Sequence, residues 1–128
     1  MKFLLDTHLV LWIPVSDARL SRAARLVLGN PDNRILFSVV SLWEIAIKCG
    51  LGKLDRRIDP RSIRRQSLEA GFEELPVLGQ HAISVDVLPQ IHKDPFDRLL
   101  IAQAIVEGIT LLTADSNIAR YPGSIRKV

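Results

Sequence analysis

The chain has 128 residues, of which 48% are hydrophobic and 24% charged, and its formal net charge is +3. This length and composition predict one globular domain over residues 1–128, with a core large enough to need no disulfide or zinc cluster. The single cysteine, Cys49, excludes a disulfide framework and a multi-cysteine metal site, as expected of a cytoplasmic protein. No apolar stretch approaches the roughly 20 residues of a membrane span, and polar residues interrupt the N-terminal apolar run, so we expect neither a membrane segment nor a signal peptide.

Apolar runs alternate with helical patterns along the chain. Near-continuous apolar strands are predicted at residues 2–6, 35–38 and 109–113, with two short strands at 74–77 and 124–127. The helices predicted between them cover residues 7–13, 21–28, 41–50, 60–71, 79–87 and 95–107. Strands that are apolar on both faces and alternate with helices indicate a three-layer α/β/α sandwich, with a central parallel sheet of about five strands.

The helix at 95–107 carries the clearest local signals. Asp94 is a preferred N-cap residue, Pro95 suits the first helical position, and Gly108 is placed to end the helix. Because its residues are apolar nearly all round, we expect this helix to be buried. Pro14 follows the first predicted helix and is expected to end or kink that helix.

Four acidic residues follow strands or begin helices. Asp6 ends the first strand, Glu44 lies in the first turn of the helix after the second strand, Asp97 begins the buried helix, and Asp115 follows the last long strand. Ligands of parallel α/β sheets bind beyond the carboxyl ends of the strands, so we expect the four acids to gather there. Carboxylates about 4 Å apart repel by about 4 kcal/mol per pair at an effective dielectric of about 20, unless a cation neutralises them. Oxygen ligands favour Mg²⁺ or Mn²⁺, which activate water for attack on a phosphate.

Each acid taken singly also has a structural interpretation. Ser41 and Glu44 form the pattern of a capping box, and Asp115 is placed to cap a short helix. Asp6 is harder to explain in this way, because Thr7 already offers a cap for the helix that follows. The joint placement of the acids therefore favours a site over four separate caps.

Four segments occur in order along almost the whole chain: LLDTH at residues 4–8, SLWEIA at 41–46, HKDPFDRLLIAQA at 92–104 and TAD at 113–115. Together they resemble the motifs of PIN-domain nucleases, and closely those of VapC-type toxins from bacterial type II toxin–antitoxin pairs. The resemblance implies a Mg²⁺- or Mn²⁺-dependent endoribonuclease whose metal-binding and catalytic residues are Asp6, Glu44, Asp97 and Asp115. It also implies an RNA substrate, inhibition by a cognate antitoxin protein, and assembly into a homodimer.

Two other classes remain as alternatives. A PIN-like domain kept only for RNA binding or protein interaction has the same fold, although the intact acids argue against it. A phospho-receiver signalling domain also has an α/β architecture and an acidic pocket, but that family has two adjacent acids after its first strand, where Asp6 stands alone. Neither common glycine motif occurs, which argues against nucleotide hydrolysis by a glycine-rich phosphate loop.

A basic segment at residues 53–65 carries six basic and two acidic residues, whereas the rest of the chain is close to neutral. We expect this segment to attract RNA phosphates without reading base sequence; its structural interpretation is a solvated surface.

Several single residues carry weaker expectations. The three histidines share no metal-ligand spacing and are interpreted as structural. Lys48, four residues after Glu44, is placed to pair with it. Arg98 is expected in an exposed salt bridge and Trp43 in the core, and Thr113 is a candidate to hold a metal-bound water.

Overall fold

A five-stranded, all-parallel sheet forms the centre of the computed structural model, which describes residues 1–128. The strands are β1 Lys2–Leu5, β2 Arg34–Ser38, β3 Glu73–Leu75, β4 Thr110–Thr113 and β5 Ile125–Lys127, in the spatial order β3-β2-β1-β4-β5. From β1 the chain adds strands first on one side and then on the other, so the order reverses between β1 and β4. The carboxyl ends of these two strands therefore mark the expected ligand site of such a sheet.

Six α-helices connect the strands: α1 Thr7–Trp12, α2 Arg22–Gly29, α3 Val39–Gly50, α4 Pro60–Glu69, α5 Gly79–Ser84 and α6 Pro95–Glu107. Two buried clusters lie on opposite faces of the sheet, because alternate strand residues point to opposite sides. Leu4 and Leu111 pack with α6 in one cluster, whereas Phe3 and Leu5 pack with residues of α1, α2, α3 and α4 in the other. The arrangement confirms the predicted α/β/α sandwich. No helix combines the length and apolar character that crossing a membrane requires.

Two helix ends form as their local sequence predicts. Asp94 Oδ1 accepts hydrogen bonds from the backbone N–H groups of Phe96 and Asp97 at 2.9 and 3.0 Å, which starts α6. Gly108 ends this helix with a φ of 66°, a left-handed conformation that glycine adopts without strain. Helix α1 ends at Trp12, and Pro14 lies in the short 3-10 helix Ile13–Val15 that follows.

The start of α3 differs from the prediction. The expected capping box of Ser41 and Glu44 is wrong, because α3 begins at Val39 and its cap is Ser38, whose hydroxyl accepts from the Val40 N–H at 3.0 Å. Strand β2 thus runs directly into the helix. Ser41 is then buried inside α3, which leaves its hydroxyl free for a contact with another element.

Candidate active site

Asp6 lies at the centre of the carboxyl edge, directly after β1, and is 1% exposed. Its Oδ1 accepts from the Leu9 N–H at 2.9 Å, so Asp6 and not Thr7 caps α1. Its Oδ2 accepts from the Thr113 hydroxyl at 2.5 Å and from the Ala114 N–H at 3.3 Å. Burial raises the pKa of Asp6, and these hydrogen bonds oppose the rise only in part.

Thr113 connects Asp6 to Asp115 across the ends of β1 and β4. Its hydroxyl donates to Asp6 and accepts from the Asp115 N–H at 3.0 Å. The Asp115 carboxylate accepts from the Asn117 N–H at 2.7 Å, which fixes the turn that follows β4. One buried hydroxyl therefore joins the Asp6 carboxylate to the Asp115 backbone at the point where the strand order reverses.

Glu44 lies on α3 and is 4% exposed. Its Oε2 accepts from Lys48 Nζ at 2.5 Å, which confirms the pair predicted from their spacing. Its Oε1 is buried and has no hydrogen-bond partner. The helix that carries Glu44 is tied to α1 by a buried hydrogen bond of 3.0 Å between the hydroxyls of Thr7 and Ser41. An unpaired buried carboxylate oxygen is unfavourable unless a cation or donor meets it.

Asp97 lies in the first turn of α6, where it is largely buried. Burial raises its pKa to about 6, and the neighbouring carboxylates of Asp94 and Glu44 add to the rise. A hydrogen bond with His92, whose Nε2 lies 2.9 Å from Asp97 Oδ2, acts in the opposite direction. The mutual influence of these acids shows that the start of α6 and the second turn of α3 carry one acidic cluster.

His92, Asp94 and Asp97 offer ligand atoms that all lie within 4.8 Å of one another, and no other group of three histidine, cysteine or acidic side chains does so. Asp97 is the one predicted site acid in this group. Sequence reasoning missed His92 because it lies in a loop, whose conformation cannot be predicted from hydrophobic periodicity. The signal available was its position two residues before the helix cap and five before Asp97.

Arg98 holds the loop that presents His92. The exposed salt bridge expected of Arg98 is wrong, because the residue is 8% exposed and its guanidinium donates to the Pro89 carbonyl at 2.8 Å and to the Tyr121 hydroxyl at 3.2 Å. The Tyr121 hydroxyl accepts from the His92 N–H at 2.7 Å and donates to the His92 carbonyl at 3.0 Å. These contacts fix the backbone of His92 beside Asp97.

The donor set fits a hard divalent cation. Burial deprives the ionised forms of Asp6 and Asp97 of solvation by water, and this loss raises the pKa values of both carboxyl groups. The orphaned Glu44 Oε1 lies in the same acidic region. Carboxylate oxygens are the ligands that Mg²⁺ and Mn²⁺ take in proteins, so an ion bound by one of these acids offsets the cost at that acid.

The basic segment at residues 53–65 is more neutral than its sequence suggests. Four of its arginines pair with carboxylates: Arg57 with Asp55, Arg61 with Asp59, Arg64 with Glu74 and Arg65 with Glu69. Lys53 and Arg56 have no carboxylate partner. Its capacity to attract phosphate therefore rests most directly on these two side chains.

An apolar groove lies between α3 and α4, lined by Val39, Leu42, Trp43 and Ala46 of α3 and by Pro60 of α4. The core position expected for Trp43 is wrong, because its side chain is 57% exposed. It packs edge-on against Phe96, with 5.1 Å between the ring centroids, and so lies next to the start of α6.

Comparison with known proteins gives a family and a set of similar folds. The PIN domain family matches residues 3–124 of the chain. No curated protein matches the sequence significantly.

Three solved structures share the fold over almost their whole length. The first is VapBC2 from Rickettsia felis bound to a promoter DNA fragment, which is 19% identical with a TM-score of 0.73; the match covers 100% of this chain and 99% of that chain. The second is DNA-bound VapBC from Salmonella typhimurium, which is 21% identical with a TM-score of 0.67; the match covers 99% of this chain and 98% of that chain. The third is a toxin–antitoxin complex from Klebsiella pneumoniae, which is 18% identical with a TM-score of 0.61; the match covers 98% of each chain. At these identities the likeness is one of fold.

Proposed function

Because the chain belongs to the PIN domain family, we propose that it is a metal-dependent endoribonuclease of the VapC toxin type. The observation that carries the proposal is the burial of three acids: Asp6, held by Thr113 directly after β1, Glu44 on α3, and the largely buried Asp97 at the start of α6. Acids buried at such a position are costly to the fold and are expected where they serve a ligand.

We assign Asp6, Glu44, Asp97 and Asp115 to the site. When bound there, Mg²⁺ or Mn²⁺ supplies an activated water and neutralises the phosphate under attack. The buried Thr113 hydroxyl holds Asp6 Oδ2, and the cap that Asp6 forms on α1 fixes the other oxygen of the same carboxylate. Asp97 is oriented by the hydrogen bond with His92, and Glu44 keeps one oxygen free of any protein donor.

The proposed substrate is RNA, approached by the unpaired cations of the basic segment, Lys53 and Arg56. This substrate is the reason to expect that the protein acts in the cytoplasm. The proposed inhibitor is an antitoxin protein that covers the exposed face of Trp43 in the apolar groove and reaches the acids with a guanidinium group, which bonds carboxylates bidentately. We further propose a homodimer, which the family resemblance implies.

Cleavage of RNA by the purified chain tests the proposal. Single-stranded RNA should be cut with Mg²⁺ or Mn²⁺ and left intact with EDTA, and Asp6→Asn and Asp97→Asn should each abolish cutting. Asp32→Asn is the matched control, because Asp32 is an exposed acid beside the amino ends of the strands. RNA binding without cleavage in the presence of either metal would instead support a PIN-like interaction module.

A further inference from the structure

We propose that His92 is itself a ligand of the metal and that it makes the site prefer a first-row transition cation such as Mn²⁺ to Mg²⁺. The inference rests on the proposed metal-dependent function and names the residue that selects among metals. It starts from a residue that sequence reasoning treats as structural and that the structure places against a site acid.

The distances suit shared coordination. His92 Nε2 and Asp97 Oδ2 are 2.9 Å apart, and neighbouring ligands of an octahedral ion with bonds of about 2.1 Å lie about 3 Å apart. The third ligand atom, from Asp94, lies within 4.8 Å of both. Asp94 uses Oδ1 for the cap of α6 and makes no hydrogen bond with Oδ2, so one oxygen remains available.

A second feature points to a ligand at this cluster. Glu44 Oε1 is buried and unpartnered, and the preceding residue, Trp43, packs on Phe96, which directly precedes Asp97 in α6. The orphaned oxygen therefore belongs to the turn of α3 that lies beside the start of α6. A cation beside the cluster satisfies it, whereas the hydrogen bond between His92 and Asp97 leaves it unpaired.

The backbone of His92 is fixed in advance. The Tyr121 hydroxyl bonds both the N–H and the carbonyl of His92, and the Arg98 guanidinium bonds the same hydroxyl. These contacts fix the backbone that carries the imidazole, so less conformational freedom is lost when the side chain binds a metal.

Imidazole nitrogen changes which ion the site favours. Mg²⁺ takes oxygen ligands and water, whereas transition cations also bind imidazole nitrogen well. His92 is the one side chain of this group that distinguishes Mn²⁺ from Mg²⁺, because the carboxylates of Asp94 and Asp97 suit both ions.

Calorimetric titration of Mn²⁺ and of Mg²⁺ at about pH 8, where free imidazole is neutral, tests the proposal. His92→Asn should weaken Mn²⁺ binding by about tenfold or more and Mg²⁺ binding by less than about threefold. Asparagine removes the imidazole nitrogen and keeps a neutral polar side chain at this position. His8→Asn is the matched control, because His8 is an exposed histidine outside the cluster, and it should leave the ratio of the two affinities unchanged.

Electron spin echo spectroscopy of the Mn²⁺-loaded protein gives a readout that needs no stable variant. A directly bound imidazole nitrogen should modulate the echo in the wild-type protein and in His8→Asn, and the modulation should disappear in His92→Asn. Unchanged affinity ratios, or Mn²⁺ bound without nitrogen, overturn the role of His92 and leave the metal-dependent nuclease standing. A wild-type protein that binds neither ion overturns both.

Discussion

Lys48 donates to Glu44 Oε2 at 2.5 Å from one turn further along α3, so a cation of the chain already contacts an acid proposed to bind metal. The pKa of Lys48 is raised, chiefly by this hydrogen bond and further by the charges of Glu44, Asp94 and Asp97. Its ammonium group therefore offsets part of the charge of the acidic cluster. A metal that uses both oxygens of Glu44 has to displace it.

Lys48→Met should separate the stability of the metal-free protein from its affinity for metal. Without the ammonium group, Glu44 stays buried with no counterion, and the free energy of unfolding in EDTA should fall by about 1–2 kcal/mol, a value between those of exposed and buried pairs. The affinity for Mg²⁺ should rise several-fold, because no tethered cation competes. Urea unfolding and calorimetry measure the two effects.

Lys48→Arg is the control for the loss of Lys48, since it keeps the positive charge beside Glu44. It should retain most of the stability of the metal-free protein and should not raise the affinity for Mg²⁺. Weaker metal binding by Lys48→Met would contradict competition and indicate that Lys48 supports the bound state.

Asp97 should make the metal-free protein less stable as the pH rises from about 4 to about 6. Its pKa is raised to about 6 in the folded chain, so the folded state holds the proton more tightly than the unfolded state in this window. Stability should fall by about 2 kcal/mol across it and level off above pH 6. Asp6, whose pKa is also raised, acts in the same direction.

Asp97→Asn isolates this contribution. In EDTA the variant should be more stable than the wild-type protein at pH 7 and should lose part of the decline between about pH 4 and 6. Hydrogen bonds from Arg19 and Arg57 lower the pKa values of Asp17 and Asp55 to about 2, so the effect of these two acids falls below this window and has the opposite sign. Urea unfolding at several pH values measures the slope, and an unchanged slope in the variant would contradict the assignment.

The predictable parts of the molecule are those set by contiguous sequence. Helix α6 forms where Asp94, Pro95 and Gly108 mark its ends, and the three long strands follow their apolar runs. The placement of Asp6 and Asp115 follows from the topology of a parallel sheet, because Asp6 comes directly after β1 and Asp115 comes two residues after the neighbouring β4. These inferences need no knowledge of which side chains meet across the fold.

The parts that escaped prediction depend on contacts between distant segments. Arg98 reads as a surface arginine, yet it is buried because carbonyls of the loop before α6 and the Tyr121 hydroxyl surround its guanidinium. His92 gains its position from the same Tyr121 hydroxyl, which lies 29 residues away in the chain. Trp43 lies on an apolar helix, but it faces a groove that no element of this chain fills.

Gln103 should stabilise the junction between α6 and α3. Its Oε1 accepts from the Ser38 hydroxyl at 2.5 Å, and its Nε2 donates to the Pro76 carbonyl at 3.2 Å and lies 3.3 Å from His81 Nδ1. Gln103→Leu removes all three contacts and leaves the buried Ser38 O–H without an acceptor, so the free energy of unfolding should fall by about 2–3 kcal/mol. Gln80→Leu, at an exposed position on α5, is the matched control and should change it by less than about 0.5 kcal/mol. Equal effects at the two positions in urea unfolding would contradict a specific role for the buried amide.

RNA binding should depend on Lys53 and Arg56 more than on the paired arginines of the basic segment. Arg57 and Arg64 already bond carboxylates, so an RNA phosphate has to break those pairs before it gains their charge. Each phosphate contact with single-stranded nucleic acid contributes about 0.7 to the slope of log affinity against log salt concentration. Lys53→Ala combined with Arg56→Ala should therefore reduce the slope by up to about 1.4 for any RNA sequence. The matched double variant, Arg57→Ala with Arg64→Ala, removes the same charge and should reduce it by less than half as much. Fluorescence anisotropy in EDTA measures binding without cleavage. Equal reductions of the salt slope in the two variants would show that the ion pairs do not restrain these arginines. An unchanged salt slope in both variants would support the interpretation of the segment as a solvated surface.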